Sequence, residues 1–188
     1  MGRTRTIDRD AVLDAAQRVV TRDGAARLTL DAVATEAGIS KASVLYDYKT
    51  KHELIRAVIA RRVCEEESVF RAMREKIGDG PDCAIQARVS TVAAGVADED
   101  RAVAISLCAA LAQEADLRQP IRESYSARID EIRRTATSPR GALLAFLAAE
   151  GLKTLDYFDL HTWTKDERRR LISDIEWLIG QDPQTDPD

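Results

Sequence analysis

The chain has 188 residues, of which 45% are hydrophobic and 32% charged, with a formal net charge of −4. This composition excludes a disordered or fibrous polymer, and the length is enough to bury a core as one large or two small domains. The longest apolar run, Ala142 to Ala149, is far short of a membrane span and is bounded by Arg140 and Glu150. The N-terminus has Arg3, Arg5 and Arg9 but no apolar secretory core, so a cytoplasmic protein is expected, with a basic arm able to reach DNA phosphates or a minor groove.

The first predicted element runs from Ile7 to Arg22, with Val12, Ala15, Ala16, Val19 and Val20 at helical spacing and Gly24 as a stop. Next come two short helices joined by a glycine turn. Thr29 is an N-cap, Leu30, Val33, Ala34 and Ala37 form an apolar stripe, and Gly38 supplies the turn. Ser40 caps the second helix, whose first turn reads Lys41-Ala42-Ser43. This is a helix-turn-helix, so duplex DNA is the expected partner. Small and basic side chains in the first turn of a recognition helix approach base edges, while Tyr46, Tyr48, Lys49 and Lys51 follow onto phosphates. The expected DNA-binding set is therefore Thr29, Ser40, Lys41, Ala42, Ser43, Tyr46, Tyr48, Lys49 and Lys51. Up to residue 56, ten Lys or Arg face eight Asp or Glu, so the acidic surplus lies in the rest of the chain and the head is mildly basic.

Thr50-Lys51-His52-Glu53 reads as a capping box opening a long helix at Lys51, with Leu54, Val58 and Ile55, Ile59 as its buried rows. Glu65-Glu66-Glu67 on that helix is expected to be a solvated face. Amphipathic helices follow, with rows Ile85, Val89, Val92, Val96, then Val103, Leu107, Ala110, Leu111, then Ile121, Tyr125, Ile129, Ile132. Gly78-Asp79-Gly80-Pro81, Asp98-Glu99-Asp100 and Gln119-Pro120 are expected to separate them. Ser138-Pro139 reads as an N-cap followed by Pro at the first helical position, opening a helix apolar on all sides. Thr164-Lys165-Asp166-Glu167 is a second capping box, for a helix with Leu171, Ile175, Leu178 and Ile172, Ile179. The expected fold is all-α: a three-helix DNA-binding head over residues 1–50, a helical regulatory and dimerisation bundle over 51–182, and a disordered tail over 183–188.

Ala15-Ala16, Thr29 to Ala34, Ala37 to Lys41 and Val44 to Leu54 together resemble the tetracycline-repressor (TetR) family of bacterial transcriptional regulators. Glu150 to Leu155, then Thr164 to Arg168 and an apolar helix, look like that family's last two helices. The resemblance implies a homodimer joined through Leu144, Leu147, Leu171, Ile175 and Leu178, and a palindromic operator. It also implies a pocket among the helices carrying Leu107, Leu111, Tyr125, Ile129, Phe146, Glu150 and Tyr157, for a largely apolar small molecule that releases the DNA. Two positions depart from the family pattern. Ala42 stands where Gly is common, and Asp47, where His or Tyr is common, is assigned no DNA contact because phosphates repel a carboxylate.

Catalytic signals are thin, and no enzyme, cofactor or metal is expected. Neither His52 nor His161 has a Cys or His at metal-ligand spacing, and there is no phosphate loop, nucleophile elbow or dinucleotide fingerprint. Cys64, Cys83 and Cys108 are odd in number and widely spaced. They suit a reducing compartment and leave cysteine oxidation as the alternative signal to a small molecule.

Overall fold

The computed structural model describes residues 9–183, so Arg3, Arg5 and the tail from residue 184 onward lie outside the described residues. Among the described residues the chain is helical, with no strand: α1 (Arg9–Asp23), α2 (Leu30–Ala37), α3 (Lys41–Asp47), α4 (Lys51–Ile77), α5 (Cys83–Ala93), α6 (Asp98–Gln113), α7 (Gln119–Thr135), α8 (Pro139–Tyr157) and α9 (Lys165–Ile179). Single 3-10 turns occupy Ala25–Arg27 and Asp116–Arg118. No described helix is long and apolar enough to cross a membrane.

Contacts divide the chain into two units, and the division does not fall simply at residue 50. Of the described residues, the first unit comprises 9–62 together with 102–121. Its core joins Val12, Val19 and Val20 of α1, Val33 of α2, Val44 of α3 and Leu54 and Val58 of α4 to Val103, Leu107 and Leu117. Each is at most 5% exposed, and burying such a side chain contributes about 1.5 to 3 kcal/mol. That is why most of α6 belongs with the head. Ala15 and Ala16 are fully buried, small enough for neighbouring helices to approach closely. The helix ends follow the sequence. Thr29 Oγ1 accepts from Ala32 N–H at 3.0 Å, and Ser40 Oγ accepts from Ser43 N–H at 3.1 Å. Gly38 takes φ 66°, a left-handed turn that any side chain would strain.

At the start of α4 the box is half as expected. Thr50 Oγ1 accepts from Glu53 N–H at 3.1 Å, but the Glu53 carboxylate accepts from Lys49 N–H at 2.7 Å, one residue before the cap.

Of the described residues, the second unit comprises 63–101 and 122–183. Its core packs Ile85, Val89 and Val92 of α5 against Ile132 of α7, Ala142, Ala145, Phe146, Ala149 and Leu152 of α8, and Ile175 and Ile179 of α9. Gly141 is buried in α8, and a Cβ there would collide with the backbone carbonyl oxygens of Leu178 and Gln181. The end of α9 therefore seats directly on glycine. Ser138 holds the N-cap position of α8 without capping it, because its hydroxyl donates to the Gln181 carbonyl instead. Asp98 is the first residue of α6 rather than part of a break, as suits carboxylates beside a helix N-terminus. Val96 falls outside α5, which ends at Ala93. The second capping box is complete, with Thr164 Oγ1 accepting from Glu167 N–H and the Glu167 carboxylate accepting from Thr164 N–H.

Candidate nucleic-acid interface and effector region

The expected recognition helix, α3, is pinned to the first unit by Val44, which is fully buried. That anchor turns Lys41, Ala42 and Tyr46 outward, and Tyr46 is 76% exposed. Thr29 and Ser40 are exposed, and each caps its helix through its hydroxyl oxygen. Ser43 is half-buried with its hydroxyl 2.8 Å from that of Ser40.

The lysines are all engaged. Lys41 Nζ lies 2.8 Å from Asp31 Oδ2. Lys49 Nζ donates to the carbonyls of Leu45 and Tyr46 at 2.8 and 2.9 Å, closing the C-terminal end of α3 where a cation is favoured. Lys51 Nζ donates to the Ala26 carbonyl at 2.6 Å. Tyr48 differs from the rest of the expected DNA-binding set in being buried among core residues, and that burial pushes its phenol pKa up. Asp47 is paired with Arg9 at 2.9 Å, its side chain only 7% exposed, so the carboxylate is masked from any phosphate.

The second unit holds a buried charge network that the sequence did not reveal. Glu66 and Glu67, expected on a solvated face, instead meet Arg128 of α7 at 2.6 and 2.8 Å. Glu67 also pairs with Arg88 of α5 at 3.1 Å, and Ser124 Oγ donates to it at 3.2 Å. Lys153 of α8 lies 2.8 Å from both Glu66 and Glu150, and Tyr125 donates to Glu150 at 2.5 Å. Three carboxylates thus balance three cations, one of which, Arg128, is 2% exposed. Burial alone would raise the Glu66 pKa, but Lys153 and Arg128 outweigh it and bring it down to about 2. Burial, with Glu150 adjacent, pushes the Tyr125 phenol up to about 12. Phe70 stacks beneath the Arg88 guanidinium at 3.6 Å, and the Tyr125 and Phe146 rings lie 6.2 Å apart.

Residues 12–58 match the family described as bacterial regulatory proteins, tetR family, and residues 82–180 match the tetracyclin repressor-like C-terminal domain. The chain belongs to the TetR family. Its fold is shared with a transcriptional regulator from Streptomyces coelicolor A3(2), at 18% identity and TM-score 0.72, covering 92% of this chain and 98% of that one. The multidrug binding protein EbrR, complexed with malachite green, is similar at 22% identity and TM-score 0.69, covering 92% and 98%. The flavonoid-responsive regulator FrrA is similar at 21% identity and TM-score 0.61, covering 90% and 93%. No curated protein sequence matches the chain.

As a TetR-family transcriptional regulator, the chain divides the expected pocket residues between its units. Leu107 and Leu111 pack in or against the core of the first, while Tyr125, Ile129 and Phe146 pack in or against that of the second. Glu150 joins the charge network, and Tyr157 is half-buried at the end of α8. Of the expected dimer residues, Leu144 and Leu147 are exposed, at 44% and 63%, and Ile175 is buried in the core of its own unit. Leu171 and Leu178 are half-buried beside it, and Trp177, which sequence reasoning passed over, is 65% exposed on α9.

Proposed function

We propose that the protein is a homodimeric repressor whose paired recognition helices read a palindromic operator, and that a largely apolar small molecule releases it. The DNA half rests on one observation above others: Tyr46, a large aromatic, is left 76% exposed on a helix whose opposite face is locked into the core. With exposed Lys41 and Ala42 one turn earlier and Ser43 beside them, α3 offers a donor for guanine and a methyl for thymine, while Tyr46, Lys49 and Lys51 follow onto phosphates.

The dimer half rests on Leu144 and Leu147 of α8 and Trp177 of α9, apolar side chains exposed on two helices of the same unit. The effector half rests on Tyr125, Phe146 and Ile129, an apolar and aromatic cluster beside the charge network of Glu150 and Lys153, whose polar groups could orient a ligand. EbrR and FrrA, whose names record small-molecule binding or response, support the same class of signal. Differential affinity for two head spacings then lowers operator affinity.

A small molecule is favoured over oxidation because Cys83 is buried and burial raises the Cys108 thiol pKa, leaving Cys64 as the exposed thiol. The test is a gel-shift assay on the chain's own upstream DNA with a panel of apolar compounds and with peroxide. Release by a compound in a triple Cys→Ser protein supports the proposal. Release by peroxide alone, lost in that variant, overturns it.

A further inference from the structure

We propose that His52 is a proton-controlled latch joining the first turn of α4 to the turn that follows α6, and that its titration tunes operator affinity across neutral pH. His52 Nδ1 is in ion-pair contact with Glu114, and its Nε2 lies 2.5 Å from Asp116 Oδ2. A neutral imidazole carries one N–H and one lone pair, whereas the imidazolium carries two N–H donors. A carboxylate at each ring nitrogen therefore matches only the protonated ring, since the neutral ring would turn a lone pair toward one of them.

Three charged neighbours are committed elsewhere, while Arg56, one turn further along α4, is exposed. Lys51 donates to the Ala26 carbonyl, Glu53 accepts from Lys49 N–H, and Arg118, in the same turn as Asp116, folds back onto the carbonyls of Leu111 and Ala112. Glu114 and Asp116 are the acidic groups facing the ring, and the hydrogen bond to Asp116, the larger contribution, raises the His52 pKa with Glu114 adding to it. The three donors lie within 4.8 Å of one another, but the carboxylates address opposite nitrogens rather than one shared point, which suits a proton better than a metal ion.

The sign follows from the raised pKa. The latch is closed below the ordinary histidine value of about 6.5 and opens as pH rises through the higher folded value. Deprotonation takes one positive charge from the unit that carries α3 and leaves two carboxylates uncompensated in it. Both changes oppose a polyanion, so operator affinity falls as pH rises.

The operator part rests on the DNA-binding role above, whereas the latch itself is testable without DNA. Imidazole 15N shifts of the full-length protein, assigned with His161→Gln, are followed across the neutral range. His52 is expected to titrate above about 6.5, and Glu114→Gln and Asp116→Asn are each expected to lower that value. At fixed ionic strength, operator affinity is expected to weaken several-fold from acid to alkaline pH in the wild type and to stay flat in His52→Gln. The latch is overturned if His52 titrates at or below the ordinary value, if wild type and His52→Gln share one pH profile, or if a chelator abolishes the response, which would assign the cluster to a metal. A protein that binds no operator yet shows the raised His52 titration would keep the latch and remove only the DNA reading.

Discussion

Lys41, the first residue of the proposed recognition helix, has its ammonium 2.8 Å from the Asp31 carboxylate on the preceding helix. Both side chains are more than half exposed, so the pair contributes at most about 1 kcal/mol and yields readily when a guanine or phosphate replaces the carboxylate. Asp31 is thus a competitor for the lysine proposed to read DNA.

Asp31→Asn tests that competition. Stability should change by no more than about 0.5 kcal/mol, as for an exposed substitution, while affinity for any DNA rises because a repelling charge is gone. Parallel thermal melts and binding isotherms on operator and random DNA check it. Unchanged affinity on both would show that Asp31 does not restrain Lys41.

In the second unit, Lys153→Met leaves Glu66 and Glu150 without their shared cation. A loss of about 3 to 5 kcal/mol is expected from denaturant unfolding, the cost of breaking a buried pair from one side. Glu66 also sets an acid limit. Its folded pKa, about 2, lies below the ordinary carboxylate value of 4.5, so its stabilisation is present above 4.5 and is lost as pH falls toward 2. Wild-type stability should therefore drop through that window, and Glu66→Gln should flatten the drop.

The helix-turn-helix was legible because everything that makes it is local: two caps, one left-handed glycine and an apolar stripe lie between Thr29 and Val44. The charge network was not legible, because Lys153 is 87 residues from Glu66 and Arg128 is 62. A run of three glutamates looks the same on a solvated face as opposite buried arginines, and only the packing of α5, α7 and α8 decides between them. His52 was equally opaque, since its two partners follow more than sixty positions later. Ser138 misled for the opposite reason. Its local signal for a cap is strong, but the nearby Gln181 carbonyl takes its hydroxyl.

Gly141 carries a prediction of the same long-range kind. Gly141→Ala, normally favourable inside a helix, should instead destabilise by about 1 to 3 kcal/mol, as overpacking does, because its methyl meets the carbonyls at the end of α9. Gly151 on the same helix has open space where a Cβ would stand, so Gly151→Ala is the control. It should be neutral or stabilising in the same melts.

Leu147 is the clean probe of self-association, being 63% exposed, whereas Ile175, at 6%, is needed by its own core. Leu147→Glu should turn a micromolar dimer into folded monomers by sedimentation, with the melting temperature of the monomer fold retained. Ile175→Glu should unfold the protein. A wild-type monomer, or a Leu147→Glu dimer, would move the interface away from this face of α8.

The most direct measurement is the binding of the purified protein to its own upstream DNA, against random DNA of equal length, over a range of salt. Selective binding that weakens steeply with salt is expected. Lys41→Ala should lose about 1 to 3 kcal/mol of discrimination between operator and mutated operator, while Lys51→Ala should weaken both DNAs alike. No preference for the upstream fragment at any salt, or a loss of discrimination confined to Lys51→Ala, would contradict the assignment of α3 as the reading helix.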